Sequence, residues 1–233
     1  MPTTNALPLY VQITELLIRD IAAGRLLDGE KLPPERDMAA SLGIAVGTLR
    51  QALKALAAKG MLVRVQGSGN YIRAKAGVDS VYALLRIELA TGGGLPTAKV
   101  LSVDHLPKDP SLPPFGSAPT GHRIRRLRYL SGVVAAVEEI WLDASYAPAI
   151  RIEDLSDSLY LYYRQTLRLW ITRAEDSIGQ GPLPDWSPPE FPHGAGTPLP
   201  QITRRSFDQE GRAAEASWTW YNPQTVRYVA RLK

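Results

Sequence analysis

Three features predict an α+β protein of two unequal modules. Apolar residues recur at helical spacing up to residue 56, and a short hairpin-like stretch follows. From residue 81, strands with two-residue alternation are mixed with a few helices and Pro-rich loops at 107–119 and 182–200. The expected architecture is a small helical module closed by a hairpin over 1–73, a linker of small and polar residues at 74–80, and a mixed α/β domain over 81–233 built on a largely antiparallel sheet.

The elements follow in order. From Leu9, the residues Ile13, Leu16, Leu17 and Ile21 share one helical face, and the pattern stops at Gly24. LLDGEKLPPERD combines Asp-Gly with two prolines and reads as a turn. It leads into a helix with an acidic start, Glu35 to Leu42, which Gly43 ends. GIAVGTLRQALKAL supplies a third helix, with Leu49, Ala52, Leu53 and Leu56 on one face and Thr48, Arg50, Gln51 and Lys54 elsewhere. A short helix, a Gly-containing turn and a second helix with exposed donors in its first turns make a helix-turn-helix, whose second helix enters the DNA major groove. Beyond Gly60, Met61–Val65 and Asn70–Arg73 are β-rich runs joined by Gln66-Gly67-Ser68-Gly69, the hairpin of a winged helix. Gly67 and Gly69 would let backbone N–H groups approach phosphate or the minor groove. A dinucleotide loop is a poor fit, because no third glycine follows at the required spacing and no helix opens there.

Composition narrows the class. The net charge of +4 sits entirely in residues 1–75, which carry ten Lys/Arg against six Asp/Glu, while residues 76–233 carry seventeen of each. A basic module joined to a neutral one points to a polyanion partner for the first. The absence of cysteine excludes disulfides and thiolate chemistry. His105, His122 and His193 show no metal-ligand spacing, and no nucleophile elbow or phosphate loop is present, so no metal, cofactor or catalytic residue is expected. The N-terminus lacks a signal-peptide pattern and no run of about 18 apolar residues occurs, which predicts a soluble, cytoplasmic protein without a membrane partner.

The segment from PLYVQITELL through LPPERDMAASLGIAVGTLRQALKAL to VQGSGNYI, residues 7–73, resembles the winged-helix DNA-binding domain of the GntR family of bacterial transcription regulators. That resemblance implies that Arg36 meets the phosphate backbone or a base edge, Thr48 a phosphate and Arg50 a base or phosphate, with Gln51 beside them and Gly67 and Gly69 at the wing tip. The competing readings are a salt bridge from Arg36 to Glu35 or Asp37, and a merely solvated Arg50. Two departures stand out: Ala45-Val46 replaces a common Ser-Arg, and Pro34 stands where Ser is common. The operator is therefore expected to differ from the family's usual one.

The pieces HRIRRLRYLSGVVAAVEEIWLD, DLSDSLYLYYRQTLRLW and ITRRSFDQEGRAAEASWTWY resemble the effector-binding, UTRA-type domain of the HutC subfamily. Strand alternation alone places Arg126 and Arg128 on one side of their strand, with Leu127 and Tyr129 on the other. Glu138 lies on the returning strand after Ser131-Gly132, and Glu215, Ser217, Thr219 and Tyr221 share a face opposite Ala216, Trp218 and Trp220. Converging arginines and carboxylates are costly to enclose unless paired or given a polar ligand. The resemblance implies effector contacts at Arg126, Arg128, Glu138, Ser158, Tyr160, Glu215 and Tyr221. The alternatives are a ligand-free ion network for the first three and a helix cap for Ser158. Gly92–Gly94 reads as a plain loop or an anion-binding one. The Pro-rich GPLPDWSPPEFPHGAG is expected to border the site.

The leading expectation is a transcription regulator, a homodimer on a two-fold symmetric double-stranded DNA operator, repressing a catabolic or transport operon. Its operator affinity would respond to a small-molecule effector: a sugar phosphate, a sugar or an organic acid. The rivals are an enzyme, or a small-molecule-binding protein whose N-terminal domain serves protein contacts.

Overall fold

The computed structural model describes residues 8–74, 80–156 and 158–231. The chain forms two compact units, one built on Leu7–Arg86 and the other on Ile87–Arg227. Most of the linker expected at 74–80 lies outside the described residues.

In the first unit, helix α1 (Leu9–Ala22) buries Ile13, Leu16, Leu17, Ile18 and Ile21. Helix α3 (Val46–Ala58) packs on it, its buried stripe being Leu49, Ala52, Leu53 and Leu56. The contact is close because Ala52 has no side chain beyond Cβ, and the Thr14 hydroxyl reaches the Ala52 carbonyl at 3.4 Å. Helix α2 (Glu35–Ser41) adds Met38 and Ala39. The turn between α2 and α3 depends on Gly43, whose φ of +65° lets its N–H bond to Ala40 and the next N–H, of Ile44, bond back to Ala39. Strands β1 (Leu62–Val65) and β2 (Gly69–Ile72) form the antiparallel wing, and the far edge of β2 pairs with residues 29–32. The Ser80 hydroxyl bonds to the Glu15 carbonyl and the Val81 N–H to the Glu15 carboxylate, which fastens the start of 80–86 to α1.

None of the three helices starts on a side-chain cap; Pro8, Pro34 and Ala45 occupy those positions. Ala45 is extended, with φ −68° and ψ 142°, which suits a capping hydroxyl. Ala45→Ser is expected to stabilise this unit by about 1 kcal/mol, raising its thermal midpoint by roughly 4–8 °C. An unchanged or lower midpoint would show that the first turn gains nothing from a side-chain acceptor.

The second unit is a six-stranded antiparallel sheet in the order β4-β5-β6-β9-β8-β7, with a separate two-stranded pair of β3 and β10. The strands are β3 (Ile87–Leu89), β4 (Pro96–Pro107), β5 (Thr120–Leu130), β6 (Val133–Asp143), β7 (Arg173–Pro182), β8 (Pro198–Phe207), β9 (Ala213–Tyr221) and β10 (Val226–Tyr228). Register aligns Arg126 with Glu138 and Thr219, and Leu127 with Val137 and Trp220, so the two faces differ in chemistry. One face carries Leu127, Val137 and Trp220, packed with Leu183, Phe191 and Leu199 and edged by Trp186 and Trp218. The tryptophan rings touch edge to face or tilted, at 6.2 and 6.3 Å between centroids.

This packing corrects one expectation. Leu183 and Phe191 of the Pro-rich segment roof the aromatic face, not the polar face that holds Arg126 and Arg128. The segment's apolar side chains bury there, where β5, β6 and β9 present aliphatic and indole surface. Over the polar face lies helix α4 (Leu159–Tyr162), continued by a single wide turn at Tyr163–Leu167. Among the described residues no helix is long and apolar enough to cross a membrane.

Candidate functional site

The first site is the outer surface of α3, the start of α2 and the wing. Arg50 and Gln51 are exposed on α3, and Thr48 is half-buried. Arg50 is not merely solvated: its Nε donates to Glu35 at 2.7 Å, while its side chain stays 64% exposed. The other oxygen of Glu35 accepts from Arg64 of the wing at 2.9 Å, and Arg64 Nε donates to Asn70 at 3.3 Å. The hydrogen bond from Arg50, together with the charges of both guanidinium groups, outweighs desolvation and holds the Glu35 carboxyl below its ordinary range. Glu35 is thus taken by Arg50 and Arg64, and Arg36 is exposed with no ion pair among the described residues.

At the wing tip Gly67 has φ +74° in open space, and Gly69 has φ +132° with Lys31 Cε placed 3.2 Å from where a Cβ would stand. A side chain at Gly69 would therefore be strained in backbone and crowded by Lys31. Between the wing turn and residues 31–35 lies a cleft of about 530 Å³, bordered by Lys31, Glu35 and Arg64. Sequence reading missed the roles of Lys31, Glu35 and Arg64. The LPPER motif was the available signal for Glu35, but its partners lie 15 and 29 residues away.

The second site is the polar face under α4. Arg128 grips Glu138 with two bonds, 3.0 and 3.1 Å, and Arg126 reaches the same carboxylate at 2.7 Å. All three side chains are buried, at 5–7% exposure. Burial alone would raise the Glu138 pKa, but the two guanidinium groups overcome it and hold the carboxyl at about 2. Glu138 therefore contributes stability that is fully present above its ordinary 4.5 and is lost only as pH falls toward 2.

Beside the triad, Glu215 accepts from Ser206 at 2.9 Å and from the Tyr160 hydroxyl at 3.1 Å. Tyr163 faces the same carboxyl, and burial pushes its own hydroxyl pKa far up. Arg126 feels the charge of Glu215, so the two clusters form one field. Arg204, gripping Asp176 at 2.6 and 2.7 Å, adjoins Tyr160. The structure therefore joins Arg126, Arg128 and Glu138 directly, and Tyr160 to Glu215. Ser158 caps α4, its Oγ accepting from the Leu161 N–H at 3.3 Å. Tyr221 is buried one register row along, level with Ala136 and Arg128. Tyr163, Ser206 and Arg204 were not singled out from sequence, although alternation along β8 places Arg204 and Ser206 on one side. Gly93 donates its N–H to Glu88 at 3.3 Å, which gives the Gly92–Gly94 loop an internal acceptor.

Glu215 carries the opposite pH sign to Glu138. Burial raises its pKa against the opposing hydrogen bonds of Ser206 and Tyr160, so its ionisation costs stability, and the cost shrinks as pH falls below the folded value and is gone beneath the ordinary 4.5. Glu215→Gln is expected to be more stable than wild type at high pH, with the advantage shrinking on acidification. Parallel thermal melts across pH check this; a gap that widens on acidification would contradict the assigned sign.

Comparison with known proteins finds matches for both units. Residues 9–72 fit the family model "Bacterial regulatory proteins, gntR family", and residues 91–227 fit the UTRA domain. The chain is 58% identical over 231 residues, 99% of each chain, to the HTH-type transcriptional regulator SmoD of Agrobacterium fabrum. It is 28% identical over 176 residues, 73% of each chain, to the Mannosyl-D-glycerate transport/metabolism system repressor MngR of Escherichia coli. Among solved structures, a possible transcriptional regulator, YydK of Bacillus subtilis, shares the fold with a TM-score of 0.52 at 22% identity, covering 97% of this chain and 100% of that one. The two family matches, one on each unit, and the 58% identity to SmoD along nearly the whole chain place this chain in the gntR family of bacterial regulatory proteins, with a UTRA domain over residues 91–227.

Proposed function

We propose that this regulator is a cytoplasmic homodimeric repressor of a catabolic or transport operon, released from a two-fold symmetric operator by a small anionic, hydroxylated metabolite. The carrying observation is that Arg126 and Arg128 share the single carboxylate of Glu138, next to the hydroxyl-rich cluster of Tyr160, Ser206 and Glu215. That triad holds one positive charge in excess, which a phosphate or carboxylate would neutralise, while the neighbouring acceptors and hydroxyls suit a sugar-like body. A sugar phosphate, a sugar or an organic acid fits this division. Ser158, at the head of α4, and Tyr221 lie on the same face and complete the proposed contact set.

On the DNA side, Arg50 and Gln51 of α3 would read one half-site, Thr48 would meet a phosphate, Arg36 would meet the backbone or a base edge, and Gly67 and Gly69 would carry the wing into the minor groove. The similarity to MngR, a transport/metabolism system repressor, supports the choice of operon class. A coupling of about 1–3 kcal/mol between effector and operator would suffice to relieve repression.

The test is a titration of labelled promoter DNA with and without candidate sugars, sugar phosphates and organic acids. Salt-sensitive, sequence-preferring binding that one of these weakens is the expected result; binding without sequence preference would overturn the proposal. Arg126→Ala should abolish the response to effector and leave operator binding intact. Loss of both together would assign Arg126 to folding alone.

A further inference from the structure

Glu35 places a carboxylate in the middle of a surface meant for a polyanion. Its partners are not built for stability, since the Arg50 and Arg64 side chains are each 64% exposed, and ion pairs of that kind contribute little to folding. The geometry instead joins three separate elements through one group. Glu35 opens α2, Arg50 stands on α3, and Arg64 stands on β1, with Asn70 of β2 holding the Nε of Arg64. On Arg50 the carboxylate takes only Nε, so the two terminal nitrogens of the guanidinium make no hydrogen bond among the described residues. Those two nitrogens are the pair that reads the O6 and N7 of guanine.

We propose that Glu35 is a specificity-setting positioning residue: it fixes the Arg50 guanidinium by its Nε edge for base readout and couples the wing to the recognition helix through Arg64. The proposal rests on the reading that α3 enters the major groove. An arginine held in advance loses less freedom on binding than a mobile one, so the correct site gains. A carboxylate near phosphates also weakens every non-specific encounter, so wrong sites lose. The two effects act in opposite directions on the two kinds of DNA, and together they widen discrimination.

The experiment compares wild type, Glu35→Gln, Arg50→Ala and the double variant on two duplexes. One carries the site that wild type selects from a random pool, and the other is a scrambled duplex of equal composition. Glu35→Gln keeps the side chain's size and should melt like wild type. It is expected to bind the selected duplex about tenfold more weakly and the scrambled one about twofold more tightly. In the Arg50→Ala background it should no longer weaken the selected duplex, and single base-pair changes should show both variants relaxing the same position. Arg64→Ala should lose less discrimination than Glu35→Gln, because Glu35 then still holds Arg50. A fall on both duplexes with a lowered melting point would make Glu35 structural, and unchanged discrimination or additive losses would overturn the proposal. A wild type that selects no site would overturn the DNA-binding reading itself, and this inference with it.

Discussion

Glu138→Ala is expected to destabilise the C-terminal unit by about 3–5 kcal/mol, the cost of leaving buried charge without its partner. Two guanidinium groups, at 5% and 6% side-chain exposure, would lose the carboxylate they share and would repel each other from next-but-one positions of β5. Glu138→Gln keeps the shape but removes the charge, and should recover only part of the loss. Glu190→Ala, which deletes the exposed partner of Lys99, serves as the contrast and should leave the midpoint where it was. Denaturant titration of the three variants gives the comparison. A loss for Glu138→Ala no larger than that for Glu190→Ala would mean that water or backbone groups already compensate the arginines.

Arg50→Ala is expected to weaken operator binding by about 1–3 kcal/mol per half-site, roughly 5- to 150-fold, and to relax the preference at one base position. Arg50→Lys should not restore it, since an ammonium has neither the Nε that Glu35 holds nor the paired terminal nitrogens that a guanine edge engages. Thr48→Ala should instead weaken binding evenly across sequences, as expected of a phosphate contact. Electrophoretic or fluorescence titrations on a panel of single-substitution operators separate the outcomes, and wild-type affinity for Arg50→Ala would reduce the residue to a solvated partner of Glu35.

The helices and strands were legible because their patterns are local. Leu49, Ala52, Leu53 and Leu56 announce the buried stripe of α3, and alternation from Arg126 to Tyr129 sorts the two faces of β5 before any contact is known. The ion network was only half legible. Alternation puts Arg126 and Arg128 on one side of β5, but whether Glu138 of the returning strand joins them is set by the β5–β6 register, in which Arg126 faces Glu138. The bond of Glu35 to Arg64 spans 29 residues and has no periodic signature. The Pro-rich segment was misplaced for a related reason: its composition marks a loop, but which side of the sheet a loop crosses depends on the path between β7 and β8. Tyr163 stands three residues after Tyr160, a spacing that regular helical geometry already puts on one face, so its place beside Glu215 was legible once Tyr160 was singled out.

The indole cluster on the aromatic face has a practical consequence. All five tryptophans of the chain, Trp141, Trp170, Trp186, Trp218 and Trp220, fall between Ile87 and Arg227, and the first unit has none. Excited at the red edge of the near ultraviolet, the protein emits from its regulatory half alone. The DNA-reading half is dark at that wavelength, so the C-terminal half can be followed on its own through melting or ligand addition without cutting the chain.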